Sequence, residues 1–455
     1  MDKKFLEELF ERRKAEFYST WCELLRFPTI SADPRHDDDC ARCAEWLRGQ
    51  LLRMGLEAEV LPTRGKPVVK AVFSGPPASP RVLFYGHYDV QPVDPLEQWL
   101  SDPFEPVWRG ERLYARGAQD NKGQLSAFLN ALEVLLAHDA LRCSLTILLE
   151  GEEETGSSGL AEALPAWCGG LRSDALLVCD TFQASPEVPA VIMGLRGVLG
   201  LEVELGGILR DLHSGFHGGL VKNPAIELAR LLATLHNPDG SVAVAGFYEG
   251  VEEPEPELVE AVNRSPFDEE AYVREVGVPP LGGELRFSAK MRGGLRPCLD
   301  ANGMHSGYTG PGMKTIIPSK ACAKLSARLV GAQQPRRGMD AIVRHLEERA
   351  PAGLRLTVRR VEEGSAAVRC PQGARYVRCA SRVLREIFDG DAVQEWQGGS
   401  IPIVADLLRC TQAEPVLVGF GLGEDNVHAP NESFSSTQYR RAFLYAALML
   451  EKLSE

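Results

Sequence analysis

The chain has 455 residues, enough for two or three domains with a core each, and its 44% hydrophobic and 25% charged residues are those of a globular protein rather than a disordered one. A formal net charge of -13 argues against nucleic acid or an anionic membrane as partner, since both would repel the chain at long range. No apolar run is long enough to span a bilayer, and the eleven cysteines, scattered and odd in number, give no disulfide framework.

In chain order, the opening MDKKFLEELFERR carries charges throughout, so residues 5–26 are expected to form an amphipathic helix rather than a secretion signal. The expected compartment is the cytoplasm. Asp37, Asp38 and Asp39 suit the first turn of a second helix over 39–54 and lack the spacing of a calcium loop. Cys40 and Cys43 lie in that helix without a second pair and read as two helical thiols rather than a zinc or redox site. RVLFY at 81–85 is a short apolar strand. Residues 123–138 place Leu125, Phe128, Leu129, Leu132 and Leu136 on one helical stripe, and 145–149 and 175–179 are further apolar strands. Apolar strands alternating with helices indicate an α/β domain on a doubly wound, mostly parallel sheet.

After Gly194 the texture changes. LGLEVEL at 199–205 and LRLTVR at 354–359 alternate apolar and polar residues, the latter with Leu354, Leu356 and Val358 on one face, as half-exposed antiparallel strands do. Residues 195–366 are therefore expected to form an inserted α+β domain, with the acidic, proline-rich stretch 255–284 on its surface. A helix over 376–388, a strand over 415–420 and a closing helix over 437–453 return the chain to the first domain, made of 1–194 and 367–455.

The chemistry-bearing residues mostly follow apolar strands, at the carboxyl ends where open α/β sheets hold their sites. His87 and Asp89, two apart in an extended stretch, point the same way, so His87 can bind a metal while Asp89 accepts its other ring N–H. Taken alone the pair also reads as a strand-end histidine with a polar neighbour. Asp120, shortly before the 123–138 helix, is an N-cap or a carboxylate bridging two cations. In Glu150-Gly151-Glu152-Glu153-Glu154, clustered carboxylates are either a solvated turn or a site that cations neutralise, in which one glutamate ligates and its neighbour serves as base for water. Asp180 ends the strand ALLVC, and His428 follows the strand PVLVGF. No single cluster decides between site and scaffold. Together they supply two imidazoles and three carboxylates, a mixed set that suits zinc, with manganese or cobalt as alternatives. No GxSxG elbow, P-loop or strand-to-helix GxGxxG accompanies them.

The set GHYDVQP (86–92), RGAQDNKG (116–123), EGEEETGS (150–157), the Asp180 strand end and NVHAPNE (426–432) resembles, in order and spacing, the metallopeptidase family of cytosolic non-specific dipeptidase and carnosinase. Acetylornithine deacetylase, succinyl-diaminopimelate desuccinylase and glutamate-releasing carboxypeptidases are more distant relatives. The resemblance implies two divalent ions per subunit, one held by His87 and Asp180, the other by Glu154 and His428, with Asp120 shared. It makes Glu153 the general base, Asp89 the residue orienting His87, and the 120–121 peptide bond a candidate for cis geometry. It makes 195–366 a lid and dimerisation domain whose His213, in DLHSG, stabilises the oxyanion in the partner subunit's site, so that the homodimer is a catalytic requirement. Arg328 grips the substrate's carboxylate with Thr315 beside it, and Ser400, in GGSIP, lies on a substrate-contacting loop. The implied substrate is a dipeptide with a free C-terminal carboxylate. An N-acyl amino acid, cleaved by the same metals, is the alternative, and a non-catalytic scaffold on this fold is a third reading. Phe216, His217 and His305 depart from the residues usual at their positions in the family.

Overall fold

The computed structural model describes residues 1–264 and 267–453. It divides into two compact units. The first comprises Met1–Met193, Cys370–Glu395 and Ile403–Glu455, and the second Gly194–Arg369 and Trp396–Pro402. The short segment Trp396–Pro402, expected from sequence in the first domain, belongs to the second unit.

The first unit is built on a mixed sheet in the order Glu57–Leu61, Val68–Phe73, Ser144–Glu150, Arg81–His87, Ala175–Val178, Glu414–Leu417, Ala190–Leu195. The four central strands, from Ser144–Glu150 to Glu414–Leu417, run parallel. Their register sets His87 opposite Glu150 and Tyr85 opposite Val178, so the chain leaves each strand at the same edge of the sheet. These strands are buried nearly throughout, which is why they read as continuous apolar runs rather than as alternation.

Helices cover the sheet where apolar periodicity placed them. Asp2 caps Lys3–Leu25 by accepting from Phe5 N (2.8 Å), and Asp37, Asp38 and Asp39 occupy the first turn of Asp37–Arg53. Cys40 and Cys43 are buried thiols of that helix. Lys122–Ala137 is enclosed on more than the one stripe its sequence displays, because Lys3–Leu25 and Ser436–Lys452 also pack against it. Its polar residues find partners there: Ser126 Oγ and Asn130 Nδ2 meet the Tyr439 hydroxyl at 2.8 and 2.7 Å. Trp21 stacks on the Tyr439 ring (centroids 4.4 Å apart), closing the three-helix layer. In its first turn stands Gly123, where a Cβ would lie 2.0 Å from the Ala118 carbonyl oxygen, so only glycine lets the preceding loop fold back this tightly.

One pairing departs from the expectation of scattered thiols: Cys168 and Cys410 form a disulfide across 242 residues of sequence. Tertiary proximity, not spacing, brings them together, and the other nine cysteines remain thiols. Among the described residues no helix is long and apolar enough to cross a membrane.

The second unit is a four-stranded antiparallel sheet in the order Cys298–Ser306, Ala321–Leu329, Gly197–Gly206, Arg355–Ser365. Burial alternates along Gly197–Gly206, whose Leu199, Leu201, Val203 and Leu205 face a core completed by Leu228, Leu231 and Leu232 of Pro224–Ala233 and Ile342 and Leu346 of Pro335–Glu348. Leu356 and Val358 pack against this core, whereas Leu354 precedes the strand. Residues 265 and 266 of the acidic stretch lie outside the described residues. The rest of it is not all surface: Leu258 and Val262 are buried, and Glu284 is buried in a two-pronged ion pair with Arg296, both contacts 2.9 Å.

Candidate metal centre

The site forms where the parallel strands end. Beyond Arg81–His87 the backbone stays extended, Tyr88 N donating to Glu150 O (2.8 Å) and Val90 N to Thr29 O (2.9 Å), so residues 87 and 89 share a side. His87 is fully buried, its Nδ1 lying 3.3 Å from Asp89 Oδ1 and 3.2 Å from the Asp89 carbonyl oxygen. Asp89 has a second task that the sequence did not disclose: its two oxygens accept the backbone N–H groups of Glu153 and Glu154, each at 3.1 Å. One carboxylate thus ties the His87 strand end to the turn carrying the paired glutamates.

Asp120 lies between two histidines. Its Oδ1 is 3.2 Å from His87 Nε2 and its Oδ2 is 2.9 Å from His428 Nε2. Asp180 Oδ2 stands 3.5 Å from His87 Nε2, and Glu154 Oε2 stands 3.3 Å from His428 Nε2. The Asp120–Asn121 peptide is cis. Two further residues inside the motifs hold these groups. Asn121 Nδ2 donates to Asp180 Oδ1 (2.9 Å), and Gln91 Nε2 donates to Glu154 Oε2 (2.7 Å). Each sits within one or two residues of a singled-out position, and nothing but its place in the motif could have marked it.

His87, Asp120 and Asp180 form one group able to hold a metal ion and Asp120, Glu154 and His428 a second, the donor atoms of each lying within 4.8 Å of one another. Each offers one nitrogen and two oxygens. Ligands about 2.1 Å from a tetrahedral zinc sit roughly 3.4 Å apart, and the imidazole–carboxylate separations of 2.9–3.5 Å match that spacing. The donor set therefore fits two divalent cations sharing Asp120.

Electrostatics support the fit. Burial, then the charge of Asp120, pushes Glu154 up to about 7. Burial likewise raises Glu153 well above the carboxylate range, with Glu154 and Asp180 adding to the effect. His428, half-exposed at the rim, is raised to about 10 by its hydrogen bonds to Asp120 and Glu154. Burial opposes the charged form of His87, yet Asp180 and Asp120 hold its pKa well above the usual value. Clustered carboxylates of this kind demand neighbouring positive charge, which divalent cations supply.

In the second unit, Leu212–His213 pairs with Ile316–Ile317, and Thr315 O accepts from Ser214 N (3.1 Å), so His213 and Thr315 are neighbours. His213 Nδ1 accepts from Gly215 N (3.0 Å), which leaves Nε2 to carry the proton of the neutral ring. Phe216 is exposed and its ring packs on His213, 4.7 Å between centroids. Arg328 lies on the face of Ala321–Leu329 opposite the core and donates from Nη1 to Ser400 Oγ (2.7 Å).

Parallel strand ends that gather such a donor set form a candidate two-cation centre of the kind metallopeptidases use. Residues 83–452 match the sequence profile of Peptidase family M20/M25/M40, and the chain belongs to that family. It is 30% identical over 407 residues to the Beta-Ala-His dipeptidase of Rattus norvegicus, spanning 87% of this chain and 81% of that one. To the Cys-Gly metallodipeptidase dug1 of Schizosaccharomyces pombe it is 27% identical over 462 residues, covering 94% and 93%. Among solved structures it resembles an M20 family metallo-carboxypeptidase, Sso-CP2 from Sulfolobus solfataricus, with TM-score 0.88, 30% identity and 96% and 99% of the two chains covered.

Proposed function

We propose that this chain is a dipeptidase that uses two divalent cations, zinc first with manganese or cobalt as alternatives, to hydrolyse the peptide bond of dipeptides with a free C-terminal carboxylate. The observation that carries the reading is the placement of Asp120, whose two oxygens face two different histidines. His87 and Asp180 would hold one ion, Glu154 and His428 the other, and Asp120 both. Bound there, the cations supply an acidified water and a Lewis acid for the scissile carbonyl. Glu153 takes the proton of that water and later delivers it to the leaving amine. Asp89 keeps His87 oriented and holds the Glu153 turn in place.

The second unit acts in this reading as lid and dimerisation domain. His213 presents Nε2–H to the developing oxyanion in the partner's site. Arg328, with Thr315 and Ser400, receives the substrate carboxylate. In this reading the compartment is the cytoplasm. Mixing His213→Ala with Glu153→Ala subunits tests the shared site. Random pairing should restore roughly a quarter of the wild-type rate, and no recovery above the single variants would sink the action in trans.

A substrate panel decides the reaction class. Free dipeptides are expected to turn over at least about tenfold faster, in kcat/KM, than N-acetyl amino acids or tripeptides, a difference of about 1.4 kcal/mol. Faster hydrolysis of N-acetyl amino acids would make the chain a deacylase. Preference for longer peptides would favour a carboxypeptidase, the activity for which the Sulfolobus protein is named.

A further inference from the structure

Glu432 is fully buried and ends the motif that begins near His428, yet the proposed mechanism gives it no part. Its carboxylate is answered by four donors, all from the loop that carries Asp120. Oε1 accepts from Gln119 N and Asp120 N, each at 3.0 Å. Oε2 accepts from Gly117 N and Arg116 Nη1, each at 2.8 Å. Ala115 N adds a fifth bond, to the Glu432 carbonyl oxygen (3.1 Å), so residues 115–120 are wrapped around this one side chain. The other prong of Arg116, also buried, donates from Nη2 to Pro92 O (2.9 Å), on the segment that follows His87 and Asp89. Three loops, carrying His87, Asp120 and His428, therefore meet in one ion pair.

We infer that Glu432, with Arg116, is a positioning pair that sets the bridging carboxylate Asp120 against His428 and His87 and thereby determines affinity for the second cation. The inference rests on the reading of these residues as metal-holding. Its physical basis is directional. Asp120 is held at its own backbone N–H, and the acceptor of that N–H is four residues from His428, so a shift in either loop is passed to the other. A backbone fixed in this way presents both Asp120 oxygens without cost in ordering when the cations arrive. Only a group with two acceptor oxygens can answer four donors. In glutamine, whichever way the amide lies, its NH2 faces two N–H groups and two of the four bonds are lost.

The test compares metal-loaded wild type and Glu432→Gln against graded chelator at a temperature well below unfolding, measuring ions retained per chain by elemental analysis. In parallel, kcat is measured with rising Zn2+. The expected result is a 10–100-fold loss of affinity for the weaker-held ion, the range typical of groups that support metal ligands, with kcat recovered by excess Zn2+. A residue that merely stabilises the fold would lower the melting temperature and leave affinity unchanged, and that outcome overturns the inference. Should Glu432→Gln not fold, Arg116→Lys takes its place. It keeps a cation beside Glu432 but gives up the bond to Pro92, and is expected to weaken metal binding several-fold. Unchanged affinity there also overturns the role of the pair. If wild type itself retains no pair of ions, the metal reading fails instead, a result distinct from either variant's.

Discussion

Glu153→Ala is expected to reduce kcat by about 10²–10⁴-fold, the span of a lost general base, while the protein keeps its two ions. The expectation follows from position and charge. Glu153 heads the turn after Ser144–Glu150, its N–H held by Asp89, beside Glu154 yet outside both candidate metal groups. Burial raises its carboxyl well above the ordinary range. Two cations nearby would oppose that rise and favour the carboxylate form, which can take a proton from water. Because the residue is not one of the ion-holding donors, its loss should leave elemental analysis unchanged. Turnover at the wild-type rate would remove Glu153 as the base, and loss of an ion with it would make the residue a ligand instead.

Stripping the ions should have an effect as large. Chelation is expected to abolish hydrolysis, and Asp120→Asn, which keeps one carbonyl oxygen but cannot be shared by two cations, should lower kcat/KM by at least about 10³-fold, about 4 kcal/mol. Restoration of the chelated enzyme by zinc, manganese or cobalt identifies the usable metals, and full activity in the metal-free protein would defeat the proposed mechanism. Stability should follow the ions: an ion present at 100 times its Kd contributes about 2.7 kcal/mol.

The stripped protein should also acquire a pH dependence of definite sign. Glu154 is raised to about 7 from 4.5 and His428 to about 10 from 6.5. Both folded-state values exceed the unfolded ones, so folding takes up protons and stability declines as pH rises. The Glu154 share is lost between about pH 4.5 and 7, and the His428 share between about 6.5 and 10. Glu153, Asp180 and His87 shift in the same direction. Cations replace those protons in the loaded enzyme, so its melting temperature should be much flatter over pH 5–9. A stripped protein whose stability rises across that range would contradict these electrostatics.

Much of this was legible in the chain because the information is local. An apolar run of four to seven residues names a buried parallel strand, as at Arg81–His87 and Ala175–Val178. Period-two burial along Gly197–Gly206 names a half-exposed antiparallel one. Acidic and histidine residues just past such runs mark a sheet's functional edge, and ordered motifs carried the family. Where sequence fell short, the deciding contacts were long-range. Trp396–Pro402 lies within first-domain sequence yet joins the second unit, where Ser400 meets Arg328. The disulfide partners Cys168 and Cys410 are 242 residues apart. Leu125, Phe128 and Leu132 disclosed one face of a helix whose other sides are covered by elements from both ends of the chain.

By itself, then, the sequence determined the kinds of elements, the edge of the sheet where chemistry would sit and the residue types available there, since apolar periodicity and strand-end composition depend only on near neighbours. Tertiary structure alone decided which oxygen of Asp120 faces which histidine, that Asp89 secures the Glu153 turn as well as His87, and that Glu432 grips the Asp120 loop. Hydrogen bonds are directional and short, so these pairings exist only once parallel register and loop closure have brought residues as far as 316 positions apart to within about 3 Å.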